Sequence, residues 1–218
     1  NMHSSGMVLL PKDPEALANL RRPTPTEPRR VLVSGCLMGQ PCGVEGTGCG
    51  MGRALGALRT HPLLRWLPFC PEHHGLGTPR TMPDLHEGDG QALLDGRARV
   101  LDQHGSDLTE GMLAGARAML AFAREQRIEL AVLTDMSAAC GSQVVSLGCR
   151  FDDVRRYQRG VGVATALLLR HGVPVVSQRD DRTLQRLRAW IEPGFVVDPT
   201  AQDHHERDWY RGYFGVDA

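Results

Sequence analysis

Three cysteines in this chain each follow a short apolar run of the kind that forms a buried β-strand. Cys36 comes after Val31-Leu32-Val33, and Cys70 after Leu67-Pro68-Phe69. Cys140 comes after Leu130-Ala131-Val132-Leu133 and a small loop. In an open α/β sheet, residues just beyond the carboxyl ends of parallel strands converge on one crevice. Three thiols distant in sequence can therefore meet in space. Three thiolates are a set that holds an iron–sulfur cluster with one iron left unligated by protein. Such an iron would be a place for chemistry.

The neighbours of these thiols suit that reading. Pro71 in Cys70-Pro71-Glu72 stiffens the backbone at the second thiol, and Glu72 adds a carboxylate two residues on. Ser34-Gly35-Cys36-Leu37-Met38-Gly39 and Ser137-Ala138-Ala139-Cys140-Gly141-Ser142 surround the other two with small residues. Small residues let backbone approach a bulky inorganic group, and Ser137 can donate or accept a hydrogen bond near it. Taken singly, each turn reads equally well as an ordinary strand end with a buried cysteine. The three together carry the inference.

Other chemistry-bearing residues are weaker. Cys42 and Cys49 sit in the glycine-rich stretch from Pro41 to Gly52, but their spacing from Cys36 misses the usual zinc-hairpin pattern. They are set aside, as is Cys149, which has no obvious partner. His73-His74 could move protons but read equally as exposed loop histidines. His204-His205, near Glu206 and Asp208, admit an adventitious metal site. Gly160-Val161-Gly162 is half of a dinucleotide fingerprint, without the third glycine or a strand before it.

The elements that must position the thiols read as alternating strands and helices from Val31 to Ser177. A short helix is expected near Arg53 to Thr60. Ala92–Leu94 and Arg97–Leu101 flank Asp95-Gly96, a hairpin signal. Leu108 to Gln126 reads as the longest helix, with Asp107 as its cap and Glu110 completing a capping box. Its residues Met112, Ala116, Met119, Leu120 and Ala123 fall on one face. Further elements are strand Leu130–Leu133, helix Val161–Arg170, strand Val173–Val176 and a short helix Leu184–Ile191. The expected fold is a three-layer, Rossmann-like α/β architecture, its sheet mostly parallel with helices on both faces, plus a β-hairpin insertion. Residues 1–30, rich in Pro and Arg, read as an extended lead-in, with 1–6 a cloning remnant. Residues 31–180 form the α/β domain. Residues 181–218 form an extension whose rings (Trp209, Tyr210, Tyr213, Phe214) dock on the domain or on a second subunit, which would make a homodimer.

The composition narrows the function. The 218 residues are 41% apolar and 23% charged, with a formal net charge of zero. That balance argues against a large nucleic-acid surface. No run reaches transmembrane length, and Met7-Val8-Leu9-Leu10 stops at Pro11, short of a signal-peptide core. The cytoplasm is the expected compartment, where six cysteines suit metal chemistry better than disulfides.

These segments resemble the bacterial thiouracil desulfidase family from about Val31 to about Ser177. Val33-Ser34-Gly35-Cys36-Leu37-Met38-Gly39 is similar to its opening Val-Ser-Ala-Cys-Leu-x-Gly. Cys70-Pro71-Glu72 followed by Gly75-Leu76-Gly77-Thr78-Pro79-Arg80 resembles its Cys-Pro-Glu and Gly-Gly-Leu-Pro-Thr-Pro-Arg. Gly105-Ser106-Asp107-Leu108-Thr109 stands for Gly-x-Asp-Val-Thr, and Ser137-Ala138-Ala139-Cys140-Gly141 for Ser-Pro-Ser-Cys-Gly. Gly160-Val161-Gly162-Val163 with Ala164–Leu169 matches the last helix. The departures are Ala138-Ala139, Thr134 in place of a usual lysine, and Gly43-Val44-Glu45-Gly46 in place of Arg-Tyr-Asp-Gly.

The resemblance implies a [4Fe–4S] cluster on Cys36, Cys70 and Cys140, with one iron not ligated by protein. It implies removal of sulfur from a thiolated pyrimidine base or nucleotide, of the thiouracil or 4-thiouridine monophosphate type, to give the oxo compound and hydrosulfide. Ser137 and Glu72 are the expected catalytic residues of this hydrolytic C–S cleavage, and Arg80 is offered for a substrate phosphate. Two competing readings use the same residues. One is a cluster- or zinc-bearing sensor or interaction protein with no open metal position. The other is a plain α/β fold with unpaired buried cysteines.

Overall fold

The structure, a computed structural model, describes residues 12–215. The segment 1–6 lies outside them. In chain order the elements are α1 (Pro14–Ala18), β1 (Arg29–Ser34), β2 (Leu64–Phe69), α2 (Pro71–Leu76), β3 (Asp84–His86), α3 (Gly90–Leu94), β4 (Arg99–Leu101) and α4 (Thr109–Glu125). They continue as β5 (Leu130–Leu133), β6 (Val144–Ser146), β7 (Tyr157–Arg159), α5 (Val163–Arg170), β8 (Val175–Ser177), α6 (Asp181–Ile191) and α7 (Asp208–Phe214).

The central sheet has the order β2-β1-β5-β8, and all its pairings are parallel. The chain runs outward from β1 to β2 and then returns to the other side of β1 with β5. The order therefore reverses between β1 and β5, which is where an open parallel sheet forms its crevice. Side chains alternate along each strand. Leu32, Ala131, Leu133 and Val175 face one layer, built on α3, α4 and α5. Val31, Val33, Leu130, Val132 and Val176 face the other, where α6 packs with Leu37, Leu55 and Leu58. The three-layer α/β expectation holds.

Several local expectations need correction. The hairpin exists, but its strands are β3 and β4, paired antiparallel through Leu85 and Val100. Ala92–Leu94 belong to α3 instead, because Asp89 caps that helix by accepting the Ala92 N–H at 3.1 Å. Asp95-Gly96 is the end of the helix, with Gly96 at φ 74°. A second small hairpin pairs β6 with β7. The capping box on the long helix does not form. Leu108 is the cap residue, and Asp107 Oδ1 accepts the Thr109 N–H at 2.9 Å. The expected helix near residues 53–60 is two 3₁₀ turns, Met51–Arg53 and Gly56–Thr60. The lead-in is not wholly extended, since Asp13 caps α1 through the Glu15 N–H.

Candidate functional site

Each thiol is delivered by the end of a strand. Cys36 lies in the 3₁₀ turn Gly35–Met38 that follows β1. Cys70 is the cap residue of α2, directly after β2, and its sulfur accepts the His73 N–H at 3.3 Å. Cys140 lies in the turn between β5 and β6, where Ser137 Oγ accepts the N–H groups of Ala139 and Cys140 at 3.2 and 3.0 Å. The strands that carry them are adjacent, β2-β1-β5. All three cysteines line one cavity of about 560 Å³.

The small residues have a visible cause. Ala138 and Ala139 are buried under the start of α5. The Gly162, Val163 and Ala164 N–H groups donate to the carbonyls of Gly141, Ala138 and Ala139 at 2.8 to 2.9 Å. A side chain on Gly162 would collide with the Ala139 backbone. Gly162 of the half-fingerprint is thus a packing device for the cysteine turn, whereas Gly160 lies against the Asp89 side chain. The helix start they open is already occupied by carbonyls, so it is not free for a phosphate.

Cys42, set aside on spacing, belongs to the site. It is buried and lines the same cavity, and the Cys70 thiol reaches its carbonyl at 3.8 Å. No spacing rule finds it, because the glycine-rich loop folds back on itself. The Gly43 N–H reaches the Thr47 carbonyl at 2.8 Å, and the Arg80 N–H reaches the Val44 carbonyl at 2.9 Å. Cys49 also lines the cavity but is exposed, and Cys149 is not part of it.

The thiols do not share one electrostatic environment. Cys36 is lowered from 9.0 to about 7, first by the hydrogen bond from Cys42, against burial, and with help from Thr134 Oγ1 at 3.1 Å. Cys70 is also lowered, again first by Cys42, then by the His73 N–H and the Arg80 charge, with burial and Glu72 opposing. Cys42 is pushed up, by its bonds to Cys36 and Cys70 and by burial. Burial raises Cys140 well above its ordinary value, and the charges of Cys70, Glu72 and Cys36 add to that. Two thiols are therefore shifted toward the thiolate and two away from it.

Beside them lies a polar chain. Glu72 Oε1 accepts the Ser137 hydroxyl at 3.0 Å. Glu72 Oε2 accepts from Arg80 Nη2 and Nε at 2.7 and 3.2 Å. The guanidinium that the sequence offers for a phosphate is taken up in this way. Arg80 Nη1 also donates to the Cys42 and Gly77 carbonyls and to Thr78 Oγ1. Its side chain is 5% exposed. Thr134, where a lysine was expected, bonds Cys36 and donates its N–H to Ser34 Oγ at 3.0 Å.

The model of the 2-thiouracil desulfurase family matches residues 31–180. The chain belongs to that family. Residues 1–30 and 181–218 lie outside the match. An uncharacterized protein of Bacillus subtilis (strain 168), YbbK, is 30% identical over 151 residues, which is 69% of this chain and 96% of YbbK. The solved structure of the [4Fe–4S]-dependent thiouracil desulfidase TudS superposes with a TM-score of 0.57 at 34% identity. That match covers 74% of this chain and 98% of TudS. Among the described residues, no helix is long and apolar enough to cross a membrane.

Proposed function

We propose that this protein is a [4Fe–4S]-dependent desulfidase that removes sulfur from a thiolated pyrimidine, with Cys36, Cys70 and Cys140 as the cluster ligands. The observation that carries the reading is the arrival of three thiols at one cavity from three adjacent strand ends. The donor set fits the group. All donors are soft sulfur, two are already lowered toward the thiolate, and small residues line the turns around them. When bound, the cluster would supply a thiophilic Lewis acid at the iron that no protein thiol holds.

The protein's own residues do the rest. Arg80 fixes one carboxylate oxygen of Glu72, so the carboxylate cannot turn away from the cavity. Its other oxygen, shared with Ser137, takes a proton from the water that attacks the thiocarbonyl carbon. Ser137 is itself fixed by two backbone N–H groups and gives its one proton to Glu72, so its role is to orient that carboxylate toward the water. The balance is hydrolytic: one water and one thiocarbonyl give one carbonyl and one hydrosulfide with its proton. With Arg80 committed to Glu72, the role proposed for it is to hold that carboxylate, not a substrate phosphate.

A second reading rests on Cys42. Four thiols at one site are also the complement of a closed zinc or cluster centre, which would serve a sensor. One experiment separates the two. Protein purified without oxygen is assayed for iron, zinc and sulfide, then incubated with 2-thiouracil, 4-thiouridine and its 5′-monophosphate. Iron with acid-labile sulfide, and hydrosulfide released in step with the oxo product, is the expected result. Zinc without iron, or a loaded cluster that turns over none of the three, supports the closed centre.

A further inference from the structure

The family match ends at residue 180, yet a residue from beyond it reaches the cysteine turn. Asp135 is the second residue after β5 and lines the thiol cavity. Its Oδ1 accepts the backbone N–H groups of Met136, Ser142, Gln143 and Val144, at 3.0, 2.9, 3.1 and 3.2 Å. One carboxylate oxygen therefore ties both ends of the turn that carries Ser137 and Cys140. The turn needs the restraint, since Met136 sits at φ 64°, a conformation that a residue with a side chain rarely adopts.

The other oxygen of Asp135 is held from the extension. His204 Nδ1–H donates to Asp135 Oδ2 at 2.7 Å, with the two side chains 1% and 0% exposed. The imidazole is held on both sides. Its backbone N–H donates to Asp180 Oδ1 at 3.1 Å, and its ring stacks on Trp209 at 5.8 Å. Among the described residues its Nε2 is buried and has no hydrogen-bond partner, so the whole polar output of the ring goes to Asp135.

We infer that His204 is a positioning residue for the site: the extension supplies it to hold the Asp135 carboxylate, which shapes the Ser137–Cys140 turn. The functional consequence rests on the desulfidase reading, but the positioning itself does not. Groups that hydrogen-bond and orient metal ligands tune the metal they hold, and Asp135 acts one step further out, on the backbone that carries Cys140.

Three full-length variants test this. His204→Leu keeps the bulk and removes the donor. His204→Asn keeps an N–H near the Nδ1 position. His204→Gln moves the donor toward the Nε2 position. Hydrogen exchange of the metal-free protein reads the amides of 136–144 directly. The leucine and glutamine variants are expected to exchange at least about tenfold faster there, with β1 and α4 unchanged, and asparagine to restore protection. In reconstituted protein the same two variants should alter the visible circular dichroism of the cluster and hasten its loss in air. The asparagine–glutamine contrast suffices if the leucine variant does not fold. Unchanged protection of 136–144 overturns the inference, and so does a loss spread evenly over the domain. A wild type that binds no iron would sink the desulfidase reading and leave the exchange result standing.

Discussion

Near neutral pH the thiols facing the cavity should not react alike. The thiolate is the form that alkylates, so labelling of metal-free protein follows each sulfur's titration. Cys36, lowered to about 7 chiefly by Cys42, should take iodoacetamide with a midpoint near that value. Cys140, raised by burial, should stay unlabelled until the fold is opened. Cys42→Ala removes the main lowering influence and should move the Cys36 midpoint back toward 9.0. A midpoint unmoved by that change would separate Cys36 from Cys42 and return Cys42 to a bystander. Glu72→Gln keeps the shape of the Arg80–Glu72–Ser137 chain and removes its base. It should retain the iron content and lose about 10²–10⁴ in turnover, and full turnover would take Glu72 out of the mechanism. At this scale Cys36, Cys70, Cys140, Glu72 and Ser137, which line one cavity, could be picked out as candidates in the sequence, since each follows a strand signal at once or after a short loop. Cys42 could not, because its neighbours are brought to it by a glycine-rich loop whose path has no periodicity to read.

The element that places Cys70 and Glu72 is α2, and α2 is placed by glycines. It crosses α4 backbone to backbone. A side chain on Gly75 would strike the Gly111 carbonyl, and one on Gly115 would strike the Pro71 carbonyl, just after Cys70. Gly115→Ala must therefore push α2 outward, at a cost of about 1–3 kcal/mol for an overpacked contact. The displacement carries Cys70 and Glu72 with it. Iron content after reconstitution should fall with the melting temperature, whereas Gly212→Ala, with open space around it in α7, should leave iron content alone. Equal iron content in Gly115→Ala and wild type would mean that the crossing does not set the position of Cys70. Element identity was legible where the apolar pattern was long or purely aliphatic. Leu130–Leu133 is β5 residue for residue, and the face of α4 carrying Met112, Ala116, Met119 and Ala123 is the buried one. It failed at Asp95-Gly96, because Asp-Gly ends a short helix as readily as it turns a hairpin. The signal that decides between them, Asp89 as a cap, lies six residues upstream.

On the scale of the whole molecule, the seam between the α/β layers and the extension is where charge is buried. Two rings of the extension touch Tyr157 of β7. The Tyr157 N–H donates to the Tyr213 hydroxyl at 2.8 Å, and Trp209 packs edge-on against Tyr157. The pair beneath them, Asp135 with His204, was not legible, since sixty-nine residues separate the two and neither has local context that marks it. The seam also predicts how the molecule responds to acid. Burial would raise Asp135, but the His204 bond and charge and the backbone N–H groups outweigh it and hold the carboxyl below 3.8. Asp203 is held below 3.8 in the same sense, with burial outweighed by Lys12 at 2.7 Å and by Thr183. A carboxyl lowered by folding contributes stability that is present above its unfolded value and disappears as pH falls through its folded one. Asp135 joins the extension to the body, and Asp203 ties the extension together through Thr183 and to Lys12, so below about pH 4 the melting temperature should drop steeply, and residues 181–215 should lose exchange protection before the central sheet does. Asp135→Asn cannot gain that proton. It should start less stable at neutral pH, by about 3–5 kcal/mol for one broken partner of a buried pair, and show a flatter acid limb. A variant that follows the wild-type slope at every pH would place the acid-sensitive contacts elsewhere in the fold.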